Sequence, residues 1–269
     1  MKIIRSKIKL KKLIKNEKKL GFVPTMGAFH QGHISLIKKS IKQCDKTLVS
    51  IYINKQQFNK ASDFKKYPRN IKDDILKIKN LKVNCLYLPT DKQIYPNGPN
   101  KKIYVSKFKT QLCGKSRPGH FEGVVDVIDR FLKIIKPKNI YLGEKDMQQF
   151  IILEDYIKKK FKNIKTVCCK TIRENNGLAC SSRNVLLTQN EKNIGSHVYR
   201  FIKKNKKKIL KKIISLSSLK KNIFSFGVNK IDYIKIVKIN RILERNKIKN
   251  RYKIFIAYYL KSVRLIDNI

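Results

Sequence analysis

Leu20-Gly21-Phe22-Val23-Pro24-Thr25-Met26-Gly27-Ala28-Phe29-His30-Gln31-Gly32-His33 is the stretch that decides the fold. An apolar run enters a Pro/Gly turn, two imidazoles stand three residues apart, and Ile34–Ile41 carries apolar residues at helical spacing. A strand, a tight turn and a helix N-terminus, in that order, form the unit by which an α/β protein presents groups to phosphate. His30 and His33 lie one helical turn apart, so both can face one site. There an imidazole donor can neutralise charge on a transferring phosphoryl group, while Gly27 and Gly32 let a nucleotide approach the backbone. The plainer alternative is a Gly/His turn with incidental histidines. Metal ligation is a weaker reading, because no third ligand is visible nearby in the sequence, although His120 could approach in space.

Working outward, Leu48–Ile53 reads as the next parallel strand and Ile71–Leu81 as a helix with Ile71, Ile75 and Ile78 on one face. Val83–Leu88 is a further strand, and Tyr95-Pro96-Asn97-Gly98-Pro99 a turn-rich loop. Beyond it come a helix over Phe121–Ile135, a short strand Ile140–Leu142 entering the Gly143 turn, a helix over Gln148–Lys158 and a strand Ile164–Cys168. The alternation predicts an α/β fold, a Rossmann-like doubly wound parallel sheet with crossover helices on both faces. After Cys169 the register changes. Polar Thr171–Asn184 precedes a lysine-laden helical region from Thr188 to Ile214 and short strands at Tyr233–Val237 and Tyr252–Tyr259. We expect a larger domain over residues 1–171 and a smaller α+β domain over 172–269. The lysine runs between Lys203 and Lys221 are either a solvated helix face or a disordered insert.

The 269 residues are 42% hydrophobic, enough for real cores, yet carry a formal net charge of +46. That excess is mostly lysine spread from end to end among abundant Ile and Asn, which argues for compositional drift over a nucleic-acid-binding stripe. No apolar run reaches transmembrane length, and the start Met1-Lys2-Ile3-Ile4-Arg5 lacks a signal-peptide core. The six cysteines form no CxxC pair and read as reduced, with Cys168 and Cys169 as strand-end packing residues. The expectation is a cytoplasmic protein with neither nucleic-acid nor membrane partners.

Further candidates fall at the ends of predicted strands. Asn54 and Gln57 can bind hydroxyl or carboxylate groups without adding charge, or simply cap a loop. Asp73-Asp74 can hold Mg²⁺ or cap the following helix. Arg117 in Arg117-Pro118-Gly119-His120-Phe121 is an anion clamp or part of a structural turn. The Gly143-Glu144-Lys145-Asp146-Met147-Gln148-Gln149 turn delivers Lys145 to a phosphate, Asp146 to a ribose hydroxyl or to that lysine, and Gln149 to a small polar substrate. Ser181-Ser182-Arg183-Asn184 sets hydroxyls beside a guanidinium at the expected domain junction, a good set for a triphosphate.

With these motifs in order, the sequence resembles the pantothenate synthetase (pantoate–β-alanine ligase) family of the HxGH nucleotidyltransferase superfamily. The resemblance rests on PTMGAFHQGH at 24–33, INKQQF at 53–58, YPR at 67–69, RPGHFEGV at 117–124, LGEKDMQQ at 142–149, RENNGLACSSRN at 173–184 and RLIDN at 264–268. It implies ATP-dependent condensation of (R)-pantoate with β-alanine through a pantoyl adenylate, with pyrophosphate and AMP released, by a homodimer using ATP and Mg²⁺. It implies His33 as proton donor with His30 assisting, and Lys145, Ser182 and Arg183 as further catalytic groups. Met26, Gly27, Ala28, Phe29, His30, Gln31, Gly32 and His33 would line the ATP site with Gly143, Glu144, Lys145, Asp146, Ile172, Cys180, Ser181, Ser182 and Arg183. Gln57 and Gln149 would bind pantoate; the residue-level reading adds Asn54 to that set and offers Asp73 and Asp74 as metal ligands. The chain departs from the family pattern at Lys55, Cys180, Asp126 and Lys261, where proline, methionine, threonine and glycine are usual. The alternatives are another HxGH small-molecule adenylyltransferase and a basic RNA-binding protein on the same fold.

Overall fold

The structure is a computed structural model and describes residues 1–239 and 252–269. It divides into a larger unit, Met1–Glu144 with Gln148–Lys170, and a smaller one, Lys145–Met147 with Thr171–Ile269. The larger unit holds six strands, β1 (Lys2–Ile4), β2 (Leu20–Thr25), β3 (Lys46–Ile51), β4 (Cys85–Tyr87), β5 (Asn139–Gly143) and β6 (Lys165–Cys169). They form one sheet in the order β1-β4-β3-β2-β5-β6, with every pairing parallel. A parallel sheet needs both faces covered, and its central strands read accordingly as nearly unbroken apolar runs. Phe22, Val23, Leu48, Val49 and Ile140 are fully buried.

The topology locates the site. From β2 the chain winds outward through β3 to β4, then returns to lay β5 on the other side of β2. The strand order therefore reverses between β2 and β5, and the crevice at their carboxyl ends is where such sheets bind ligands. Pro24-Thr25 closes β2 and Gly143 closes β5, so the histidine turn and the Gly143 turn both leave the sheet at this switch point.

Two elements at the start of the chain had no legible signal. β1 has three residues, and the helix Lys7–Ile14 (KIKLKKLI) fully buries only Leu10, its lysines masking the apolar period. Ser6 caps that helix by accepting from the Lys9 N–H at 3.3 Å.

In the smaller unit, β7 (Lys230–Lys238), β8 (Tyr252–Leu260) and β9 (Val263–Asn268) form an antiparallel sheet in that order. Its apolar residues Ile234, Ile254 and Ile256 share one core with Ile202 and Ile209 of the helix Gln189–Leu210 and Leu219 and Ile223 of the helix Leu216–Ser225. A Thr188–Glu191 capping box starts the first of these helices. The lysine runs are thus a solvated helix face: Lys203, Lys204, Lys207 and Lys208 lie toward solvent around buried Ile202 and Ile209. Among the described residues no helix is long and apolar enough to cross a membrane.

Candidate active site

The turn after β2 is held from beneath by a carboxylate. Thr25 Oγ1 donates to the Ser50 carbonyl (2.7 Å) and accepts the Gly27 N–H (3.2 Å), which starts the chain round the bend. Gly27 at φ +79° and Ala28 at φ +51° then turn through the left-handed region. Gly27 is required twice over, since a Cβ there would also lie 2.8 Å from Asp74 Oδ2. The Asp74 carboxylate, 1% exposed in the helix Ile71–Lys79, accepts the N–H groups of Ala28 (2.8 Å) and Phe29 (2.7 Å). Lys77 of the same helix donates to the Phe29 carbonyl at 3.2 Å.

This arrangement corrects two expectations. Both Asp74 oxygens are taken by backbone donors, and Asp73 instead pairs with Lys77 at 2.7 Å, so the two do not fit a shared metal site. The helix cap is Asn70, whose side chain accepts the Asp73 N–H. Among the described residues no group of three or more His, Cys, Asp or Glu side chains converges as metal ligands. The Ala28 and Phe29 N–H groups are likewise bonded to Asp74 and not presented to an incoming phosphate.

The two histidines begin the helix Gln31–Gln43 as a reciprocal cap. His30 Nδ1 accepts the Gly32 N–H (3.1 Å), and His33 Nδ1 accepts the His30 N–H (3.4 Å). The rings lie 4.0 Å apart between centroids and 33° from coplanar, with Phe29 edge-on to His33 at 5.5 Å. Because each Nδ1 accepts, each neutral ring carries its proton on Nε2. The cap therefore fixes both the pose and the tautomer of the imidazoles.

A second cluster surrounds Gln57 in the short turn Lys55–Gln57 after β3. Asn54, 1% exposed, donates through Nδ2 to the Gly123 carbonyl (2.9 Å) and to Gln57 Oε1 (3.3 Å). Gln57 Nε2 is thereby directed onto Met26 Sδ at 2.9 Å. A thioether is a weak acceptor, so this contact holds the amide only loosely. The Gln57 carbonyl is gripped by Arg117 Nη2 (3.0 Å) and His120 Nδ1 (2.8 Å). Arginine can only donate, so the 3.2 Å Arg117 Nη1 to His120 Nε2 contact makes Nε2 the acceptor and puts the His120 proton on Nδ1. Arg117 and His120 thus act on a backbone carbonyl, and His120 is a tether of Gln57, not a third ligand for the histidine pair.

Gly123 permits this cluster. A Cβ there would fall 2.3 Å from the Gln56 carbonyl oxygen and 2.9 Å from the Gln57 nitrogen, both immobile backbone atoms. Gly123→Ala is expected to push the 54–57 turn away and destabilise the protein by about 1–3 kcal/mol, the usual range for overpacking. Thermal unfolding checks the loss, and the amide signals of Gln56 and Gln57 should shift most in an NMR spectrum.

The remaining candidates divide between the units. Gly143, Glu144 and Gln149 belong to the larger one, Gln149 half-buried in the first turn of the helix Met147–Lys160. Its neighbour Gln148 is buried and fully bonded, donating to the carbonyls of Phe108 and Gln111 and accepting the Cys113 N–H. Lys145, Asp146, Ile172, Cys180, Ser181, Ser182 and Arg183 belong to the smaller unit. There Lys145 Nζ stands 3.8 Å from Asp146, and its carbonyl accepts from buried Asn268 at 2.8 Å. Asp267 holds Arg173 by two bonds of 2.7 and 2.9 Å. The RLIDN motif is therefore a brace: its Asp and Asn fix the RENNG turn and the lysine turn. Ser181 Oγ accepts the Arg183 N–H, and Asn184 donates to Glu174.

Each departure has a definite place. Lys55 opens the 55–57 turn and is exposed, and Cys180 is buried. Lys261 takes φ +47° in the β8–β9 turn, a conformation that favours the usual glycine. Asp126 is 3% exposed and bonded to Arg130 at 2.7 Å.

A family model for pantoate-beta-alanine ligase matches residues 2–269. The pantothenate synthetase of Francisella tularensis subsp. novicida is 40% identical over 271 residues, 99% of this chain and 96% of the relative. That of Pseudothermotoga lettingae is 36% identical over 281 residues, 100% and 98% of the two chains. Among solved structures, the Francisella tularensis pantoate-beta-alanine ligase complexed with beta-gamma ATP and beta-alanine has a TM-score of 0.87 and 38% identity, covering 100% and 97%. The pantothenate synthetase of Thermus thermophilus has a TM-score of 0.90 and 27% identity, covering 100% and 99%.

Proposed function

The chain belongs to the pantoate–β-alanine ligase family, and we infer from its side chains that the reaction runs through a pantoyl adenylate formed at the turn after β2. It is an enzyme, and its reaction is the ATP-dependent joining of pantoate and β-alanine. One observation carries the mechanistic reading: the Gln57 amide meets Met26, the residue that opens the histidine turn. An acid oriented by Gln57 is thereby held beside the turn that carries the imidazole donors.

In the first step a pantoate carboxylate oxygen attacks the α-phosphorus of ATP. A P–O bond forms, and the bond to pyrophosphate breaks with its electron pair leaving on the pyrophosphate oxygen. Negative charge grows on the phosphoryl oxygens, where the Nε2–H groups of His30 and His33 stabilise it. In the second step the β-alanine amine attacks the acyl carbon, a C–N bond forms, the acyl C–O bond breaks with its electron pair leaving on the AMP phosphate oxygen, and the amine proton passes to solvent. Neutral Gln57 and Gln149 suit a substrate whose hydroxyls and carboxylate need orienting without extra charge, and buried Asn54, expected to bind pantoate, instead stands behind Gln57 and holds its amide. Lys145, Ser182 and Arg183 are assigned to the phosphates on charge and hydrogen-bonding chemistry, with Ile172, Cys180 and Ser181 beside the nucleotide. Asp73 and Asp74 take no part in either step: Asp74 holds the turn and Asp73 pairs with Lys77.

We extend the reading to a homodimer in the cytoplasm, which sedimentation and cell fractionation test directly. The function itself is tested by incubating purified protein with ATP, Mg²⁺ and pantoate, with and without β-alanine. Pyrophosphate should appear only with pantoate, and pantothenate and AMP only when β-alanine is added. Folded protein that releases no pantoate-dependent pyrophosphate would refute the ligase reading.

A further inference from the structure

Behind Asn54 lies a partly buried polar chain to which the ligation chemistry assigns no task. Tyr95 Oη donates to Asn54 Oδ1 at 2.9 Å. The Tyr95 ring carries the Arg130 guanidinium 4.4 Å above its centre. Arg130 is fixed in turn by Asp126 (2.7 Å) and by the carbonyls of Ile94 (2.9 Å) and Gly98 (2.8 Å). Asp126 also accepts the Asn100 N–H at 2.8 Å. Both ends of the Tyr95–Pro99 loop are thereby pinned to the helix His120–Ile135, and the loop is a strap that aims one hydroxyl at Asn54.

That hydroxyl and the Gly123 carbonyl together hold one orientation of Asn54. Asn54 has two nearly isosteric amide poses. With Oδ1 toward Tyr95, Nδ2 donates to Gln57 Oε1, which turns Gln57 Nε2 toward Met26 and the substrate side. Without the hydroxyl, Oδ1 keeps only the 3.4 Å contact from the Gln56 N–H. A reversed Asn54 would set oxygen against oxygen at the Gly123 carbonyl as well as at Gln57, so Asn54 keeps its pose but loses its firmest acceptor contact, and the Gln57 Nε2 loses part of its fixed aim. Burial first, and the nearby Asp126 charge second, push the Tyr95 pKa up, so the hydroxyl keeps the proton it donates.

We propose that Tyr95 is a positioning residue for the pantoate subsite, held by the Asp126–Arg130 pair and acting through Asn54 on the Gln57 amide. The proposal rests on the assignment of Gln57 to pantoate. Tyr95→Phe removes the hydroxyl and keeps the ring under Arg130. It should raise the pantoate KM about five- to tenfold, the scale of one lost hydrogen bond that sets an amide's direction. The ATP KM and kcat should stay within about twofold of the unaltered protein, since only ground-state binding of the acid is touched.

Coupling separates positioning from a general loosening. Added to Gln57→Ala, Tyr95→Phe should cause no further fall in kcat/KM for pantoate, because its target is gone. An unchanged pantoate KM, equal rises in the KM values of all three substrates, or an undiminished effect in the Gln57→Ala background would each overturn the proposal. Should Tyr95→Phe not fold, Asp126→Asn decides by the same ratio: a rise confined to the pantoate KM supports it, and any other pattern overturns it. If the unaltered protein releases no pantoate-dependent pyrophosphate, the ligase reading fails and this inference with it. A failure confined to the variants removes the inference alone.

Discussion

Asp74→Ala is expected to lower kcat/KM by about 10²-fold and to destabilise the fold by about 2–4 kcal/mol. Asp74 never meets the substrate in this reading. Its two oxygens hold the N–H groups of Ala28 and Phe29, and so hold a turn that passes through two left-handed residues. Without the carboxylate those donors are orphaned, and Ala28 relaxes from φ +51° toward the ordinary negative range. The entry to His30 then moves, and a displacement of about 1 Å in catalytic groups is enough for a loss of that size. Asp74→Asn should fall between, since one oxygen survives but an NH₂ faces the second N–H. Raising Mg²⁺ tells a turn from a metal site: a metal ligand's loss is partly rescued by excess metal, whereas the missing turn is not. Activity regained at high Mg²⁺ would reject the turn role.

The sheet was legible because parallel strands buried on both faces read as unbroken apolar runs. Leu20–Val23 and Val83–Leu88 carry that signal at full strength, and the helices between them keep a clear period. What failed was short or masked by lysine. β1 offers three residues, and in Lys7–Ile14 the side chains that drift has made lysine stand between the few apolar ones. The same masking left 203–221 ambiguous, although Val198, Ile202 and Ile209 mark a buried stripe at helical intervals.

In the site, the residue types were legible and their partners were not. The sequence has His30 and His33 at i, i+3, but not that each ring caps the other's turn. An i, i+3 pair at a helix start is the spacing of a capping box, so Ser/Thr and Glu in that box can be replaced by two imidazoles. Asp74 misled because adjacent carboxylates suggest a cation, whereas its contacts lie 45 and 46 residues away in sequence and depend on how one helix meets one turn. Tyr95 carried no motif at all. A signal did exist for Gly123 and Asp126: a glycine in a helix interior, which marks a close approach, and an acid among apolar neighbours with an arginine four residues on.

His33→Ala is expected to slow adenylate formation by about 10²–10³-fold, the scale for removing a donor aimed at developing phosphoryl charge. The aminolysis step, measured with preformed pantoyl adenylate, should change by less than about tenfold, because the leaving AMP is already a good one. Alanine also deletes the acceptor for the His30 N–H, a cap worth about 0.5–2 kcal/mol, so a slow variant alone proves little. His33→Gln separates the two effects. Its carbonyl oxygen restores the reciprocal cap, as glutamine does at the same place in ordinary capping boxes, but it brings no imidazole Nε2–H. The melting temperature should return toward that of the unaltered protein while adenylation stays at least about tenfold slow. If activity returns with stability, His33 serves the turn and not the phosphate. His30 would then be left as the phosphate donor, since its Nδ1 accepts from Gly32 on the same helix and does not need the His33 ring to hold its tautomer.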